Sequence, residues 1–114
     1  MNSDRELLEL AAKANGFIDD AVDGSEAHGL HRDAEGFFYW IDTNGWVFWV
    51  PADDDGQALR LAVKLRLSID IYEQTEVTDS CESFVKIEQN DADPSAATRR
   101  AIVRAAAEIG KAMP

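Results

Sequence analysis

Four groups of side chains in this 114-residue chain have the types and spacing to do chemistry. In "HGLHRDAE", His28 and His31 stand three apart with Asp33 and Glu35 close by, all of them residue types that ligate zinc or related ions. The stretch contains glycine and has no third histidine or nearby cysteine, so solvated side chains are the better reading and no metal is expected. Cys81, the one cysteine, could serve as a nucleophile only if folding set a histidine beside it as base. Asp53, Asp54 and Asp55 could chelate a divalent cation together with Asp91 or Asp93, but helix capping accounts for both clusters. Arg99, Arg100 and Arg104 lie on one helical run and could cross a nucleic-acid backbone. Their expected role is instead to pair with acids elsewhere in the chain or to remain solvated. The sequence has no glycine-rich phosphate loop, no G-x-S-x-G and no H-E-x-x-H, so neither an enzyme nor a cofactor is expected.

Charge narrows the partner. The formal charge is −11, and residues 67 to 94 carry eight acids, among them Asp70, Glu73, Glu76, Asp79 and Glu82, against the single base Lys86. Nucleic-acid binding requires a basic footprint that displaces condensed counterions, and the overall field here has the opposite sign. A protein partner with a basic surface fits better, the acidic segment supplying charge and Trp40, Trp49 or Tyr72 a desolvated anchor. A single cysteine cannot form an internal bridge, and the charged start "MNSDRELLEL" lacks the apolar core of a secretory signal. A soluble, cytoplasmic protein is expected, with no membrane partner.

The elements that must position these residues follow from capping and periodicity. Ser3-Asp4-Arg5-Glu6 reads as a capping box, and Asn15-Gly16 as a left-handed stop, which bounds a first helix with Leu7, Leu10, Ala11 and Ala14 on its apolar side. Residues 17 to 35 read as a loop, with a short strand around Phe17 to Ile18. "FFYWIDTNGWVFWV" then predicts a hairpin turning at Asn44-Gly45, in which Thr43 faces Trp46, Ile41 faces Phe48 and Tyr39 faces Val50. Both faces of this hairpin are apolar, which raises the question of what covers the second one. Asp54 caps a second helix with Gln57 at its third position, a capping-box variant, and Leu59, Ala62, Val63 and Arg66 form one side of it. Leu67, Ile69 and Ile71 give a strand with one buried face, and Ser83, Val85 and Ile87 alternate with Phe84, Lys86 and Glu88 in another. The intervening "EQTEVTDSCE" reads as a polar hairpin loop. Asp93 and Pro94 open the last helix, whose stripe of Ile102, Ala106, Ile109 and Met113, bordered by Val103 and Ala105, permits close approach by a neighbouring element. The expected fold is a single α+β domain over residues 1 to 114, an antiparallel sheet of about four strands with three helices, in the order helix, hairpin, helix, hairpin, helix.

Three blocks, "DRELLELAAKA", "DDDGQALRLAVKL" and "AATRRAIVRAAAEIG", resemble a group of small uncharacterised proteins encoded by phages and prophages of Gram-negative bacteria. They cover about a third of the chain. In that group a tryptophan and a proline commonly precede the middle block, as Trp49 and Pro51 do here. The resemblance implies an α-β-α sandwich type of domain and carries no catalytic residues. With the charge it favours a non-enzymatic accessory protein that binds a host protein, as an inhibitor of a defence system in the manner of anti-CRISPR proteins, including by nucleic-acid mimicry. Two alternatives are a small-molecule or nucleotide sponge built on the aromatic hairpin and a structural or assembly accessory of the virion. A homodimer burying the hairpin's second face is a further option.

Overall fold

The computed structural model describes residues 3–19, 29–42, 45–90 and 93–114, with the side chains at positions 18, 19, 41, 42 and 46 excepted. Thr43, Asn44, His28 and Asp91 lie outside the described residues. Three helices, α1 (Asp4–Asn15), α2 (Asp55–Leu65) and α3 (Pro94–Ala112), accompany two separate sheets. The first sheet contains β2 (Leu30–Arg32), β3 (Phe38–Asp42) and β4 (Gly45–Phe48), all antiparallel, with the two-residue β1 (Ile18–Asp19) parallel to β2 at its edge. The second contains β5 (Ser68–Ile71), β6 (Gln74–Thr78) and β7 (Val85–Gln89), also antiparallel. The α+β class, the three helices and their alternation with strands agree with the sequence. The single sheet of about four strands is corrected to two sheets: Leu30–Arg32, within the stretch read as loop, is strand β2 beside β3, and "QTEVT" is the central strand β6 and not loop. Its β-branched Thr75 and Val77 are fully buried on one face, while the polar residues between them point away.

The three N-cap hydrogen bonds are as expected. The Glu6 amide donates to the Ser3 hydroxyl at 3.2 Å, the Gln57 amide to Asp54 at 2.8 Å and the Ala96 amide to Asp93 at 3.0 Å. Gly16, at φ +81°, ends α1 with its amide on the Ala12 and Lys13 carbonyls. Small residues let α1 and α3 lie close together: Ala11 and Ala12 are fully buried on one helix, and Ala101, Ala105 and Ala106 on the other. Gly110 of α3 approaches so near that a methyl group there would stand 1.9 Å from the Leu10 carbonyl oxygen.

The phase of α2 differs from expectation. The buried face of α2 is Gln57, Ala58, Leu61 and Ala62, whereas Leu59 and Val63 are 58% and 68% exposed. In β7, Val85 and Ile87 point to solvent while Phe84, Lys86 and Glu88 face α3. The hairpin register also differs. Gly45, at φ +116°, pairs with Asp42, and Tyr39 pairs with Phe48, so the pairing is displaced by two residues from an Asn44-Gly45 turn. A displacement of two preserves the pleat, and the sorting of side chains between faces survives. Phe38 and Trp49 lie in the core with Leu30, and Trp40 packs partly buried against it.

Gln57 does not close a capping box. Its side chain turns to the outer edge of the hairpin, where Oε1 accepts from the Val50 amide at 2.5 Å and Nε2 donates to the Phe48 carbonyl at 2.9 Å. One side-chain amide thereby stands in for the peptide group of a neighbouring strand and covers that edge.

Candidate functional site

The inner face of the second sheet is defined by α3 and its arginines. Arg99 donates to the Ala52 carbonyl at 2.9 Å and to Asp55 at 2.6 Å, which holds its guanidinium above the usual range chiefly through the Asp55 hydrogen bond. Arg100 pairs with Glu88 at 3.0 Å, Arg104 binds the other oxygen of Glu88, and Lys86 pairs with Glu108 at 3.3 Å. The basic helix is thus engaged with acids of its own chain, as its sequence context suggested. A buried polar cluster completes this side: the Thr75 hydroxyl donates to Asn90 at 2.8 Å, and the Asn90 amide donates to the Tyr72 carbonyl at 3.0 Å.

Alternation along the strands assigns the opposite face. Ser68, Asp70, Glu76, Thr78, Val85 and Ile87 point outward, with Asp70 directly opposite Glu76 and Glu76 opposite Ile87. No basic residue occupies an outward strand position of this sheet. Val85 and Ile87 are 49% and 43% exposed, and Tyr72, at the β5–β6 turn, is exposed as well. The Tyr72 hydroxyl donates to Glu76, and the Gln74 side-chain amide donates to the Tyr72 oxygen at 3.2 Å. Gln89 in turn donates to Gln74 at 3.1 Å, so a polar chain crosses the sheet and fixes the Tyr72 ring on this face. The bond to Glu76 is the main reason the Tyr72 phenol is held above its ordinary range, with desolvation adding to it and Gln74 opposing it.

Of the residues singled out in the sequence, Asp70, Tyr72 and Glu76 share this face, and Glu73 is exposed in the turn beside Tyr72. Asp79 and Glu82 lie in the β6–β7 connection, at the far end of β6. There the Asp79 carboxylate accepts from the Ser83 amide at 2.6 Å, which makes it a turn former, and Glu82 is exposed at φ +54°. Trp49 is corrected as an anchor: it is 5% exposed, its ring edge-on to Phe38 at 6.1 Å, because the apolar face it shares with Phe38 is the one that meets the core. Trp40 is half-buried.

Among the described residues, the exposed rings by the hairpin are Phe37 and Phe48, edge-on at 6.1 Å. They border a groove of about 720 Å³ floored by Leu7, Leu8 and Val103, with Arg100 and Arg104 among its polar lining. The period-2 pattern held this signal, since it places Phe48 on the face away from Trp49.

Of the other candidates, His31 and Asp33 take structural roles. His31 is buried and stacked on Tyr39 at 5.1 Å, and Asp33 accepts from the Glu35 and Phe37 amides at 2.9 Å to form the β2–β3 turn. His28 is outside the described residues, among which no three His, Cys, Asp or Glu side chains cluster to hold a metal. Cys81 is exposed in the β6–β7 connection. Among the described residues no helix is long and apolar enough to cross a membrane. Comparison with protein-family models, with curated proteins and with solved structures finds no match.

Proposed function

We propose that this chain is a non-enzymatic binding module that docks the outer face of its second sheet onto a basic surface of a partner protein. The observation that carries the reading is the directly opposed pair Asp70 and Glu76 on an outward face without a base, beside exposed Tyr72, Val85 and Ile87. Like charges directly opposite on neighbouring strands destabilise a sheet, so the pair costs the isolated fold stability and gains when a cation lies over it. Tyr72 and the two aliphatic side chains supply the apolar contact that charge alone lacks. With the phage and prophage resemblance, the partner class this favours is a host nucleic-acid-binding protein, its basic groove occupied by carboxylates in place of phosphates, and the consequence is inhibition of host defence.

The test is affinity capture from a bacterial lysate at low and high salt with wild type and with a Asp70→Lys/Glu76→Lys variant shown by circular dichroism to be folded. The reading expects a stoichiometric, basic protein captured by wild type and released by salt, and absent from the variant. A partner retained by the charge-reversed variant would overturn it. A second reading rests on the groove beside Phe37 and Phe48, whose volume suits a small ligand. A thermal shift of several degrees with a nucleotide or other small molecule, lost in Phe48→Ala, would favour it.

A further inference from the structure

We infer that the free edge of β5 receives an extended basic segment of the partner as an added strand. This rests on the reading that the second sheet docks a basic protein, and it names how part of that protein is held. The Tyr72 amide donates to the Gln74 carbonyl at 3.0 Å, so alternation along the register makes Asp70–Glu76 and Ser68–Thr78 the bonded pairs. The amides and carbonyls of Ile69 and Ile71 therefore point away from β6. The same alternation across β6 and β7 points the Ile87 carbonyl outward, and there Arg104 donates to it at 3.1 Å. On β7 one outward group, the Ile87 carbonyl, is taken by Arg104, and beside β4 Gln57 takes the Phe48 carbonyl and the Val50 amide. At β5 the Leu67 amide is taken up by the Ala62 carbonyl at 2.9 Å, and beyond it Ile69 and Ile71 have no backbone partner on the edge side among the described residues.

An unpaired edge of this kind is a template for strand addition. A strand laid beside β5 places the residue opposite Asp70 on the outer face, next to the Asp70–Glu76 pair, and those opposite Ile69 and Ile71 on the other face. Ile71 is 59% exposed there, so the complementary segment alternates basic with apolar residues. A second copy of this chain is a poor occupant. If Ile69 and Ile71 exchanged bonds about a two-fold axis, Asp70 would face Asp70 between two chains of charge −11.

The probe is a fluorescein-labelled seven-residue peptide alternating lysine with valine, followed by anisotropy at about 50 mM salt. Wild type should bind it, and Asp70→Lys and Ile71→Pro should each weaken binding about tenfold, the value of one hydrogen bond or one charge contact. The proline removes an outward amide and leaves the bonded pairs with β6 intact. On the wild-type protein, peptide should slow hydrogen exchange at the Ile69 and Ile71 amides about tenfold, and a peptide N-methylated on alternate residues should not bind. Absence of binding, or binding without protection of those two amides, overturns the inference. Binding that survives Ile71→Pro and is lost in Ile87→Lys places the peptide across the face, so the edge inference fails while the docking reading stands. A concentration-dependent dimer abolished by Ile71→Pro assigns the edge to a second copy and likewise overturns it.

Discussion

Replacing Gly110 by alanine tests the contact that holds α1 against α3. The added carbon would meet the Leu10 carbonyl oxygen at 1.9 Å and the carbonyl carbon at 2.8 Å, and both are backbone atoms of a helix that cannot rotate aside. Ordinary contact begins near 3.4 Å, so the helices must separate by about 1.5 Å at the crossing. A gap of that size forfeits a large share of the dispersion energy of the small residues lining the contact. Overpacking of this kind costs about 1–3 kcal/mol, and a backbone obstacle puts Gly110→Ala at the upper end. Alanine's higher helix propensity returns at most about 1 kcal/mol, leaving a net loss of about 2 kcal/mol. With an unfolding entropy of about 2.1 cal/mol/K per residue, that loss lowers Tm by roughly 8 °C for a chain of 114 residues. Differential scanning calorimetry measures it directly. Gly56→Ala is the control: its carbon would stand 3.4 Å from Arg60 and Asp54 side-chain atoms, so Tm should stay level or rise by a few degrees. A Gly110→Ala protein melting within about 2 °C of wild type would refute the close helix crossing.

Gln57→Ala should destabilise by about 2 kcal/mol in urea denaturation, because two backbone groups of the hairpin edge lose their partners, and the Val50 amide should exchange faster. Glu88→Ala removes the carboxylate shared by Arg100 and Arg104 and should cost about 1–2 kcal/mol, with a smaller difference in about 1 M salt. The raised Tyr72 phenol keeps its proton in the folded state above pH 10, where the unfolded chain has begun to lose its own. That contribution to stability is therefore complete below pH 10 and is lost as pH rises through the folded value. Ultraviolet titration of wild type against Tyr72→Phe should show a late-ionising phenol, and Glu76→Gln should bring it back toward the ordinary range.

Capping chemistry was the most legible part of the sequence, because a side chain three residues from the amide it accepts is a local matter. Ser3, Asp54, Asp93 with Pro94, and Gly16 all act where local rules place them. The phase of α2 was not legible. "ALRLAVKL" presents Leu59, Leu61, Val63 and Leu65 all round the helix, and only the close approach to α3 selects the alanine side over the bulkier Leu59 and Val63. Which side of β7 is buried was not legible for a related reason: α3 brings arginines to the sheet, so Lys86 and Glu88 face inward as ion pairs and the aliphatic residues are left outside. β6 had a usable signal in the alternation of Thr75 and Val77, masked by the acids between and after them.

That facing of β7 is also what links fold to the proposed docking face. Glu88, Asp55 and Glu108 are each neutralised by a cation from α3 or β7, and Asp79 and Asp93 are committed to turn and cap. Asp70 and Glu76 remain on the outward side, so the acidity of residues 67 to 94 is sorted by the sheet and not spread evenly. The helix arginines serve this sorting: by drawing Glu88 inward they oblige Val85 and Ile87 to point outward, next to the carboxylates. Electrostatics and apolar exposure on the outer face therefore share one cause, the register of β7 against α3. The two effects separate in salt. Association through the outer face should slow steeply with ionic strength, since Asp70 and Glu76 are solvent-facing, while Tm should fall less, since Glu88 and Arg99 are each less than a fifth exposed. Equal sensitivity of both would mean that the outward carboxylates are part of the fold's own charge balance, and the docking reading would lose its electrostatic basis.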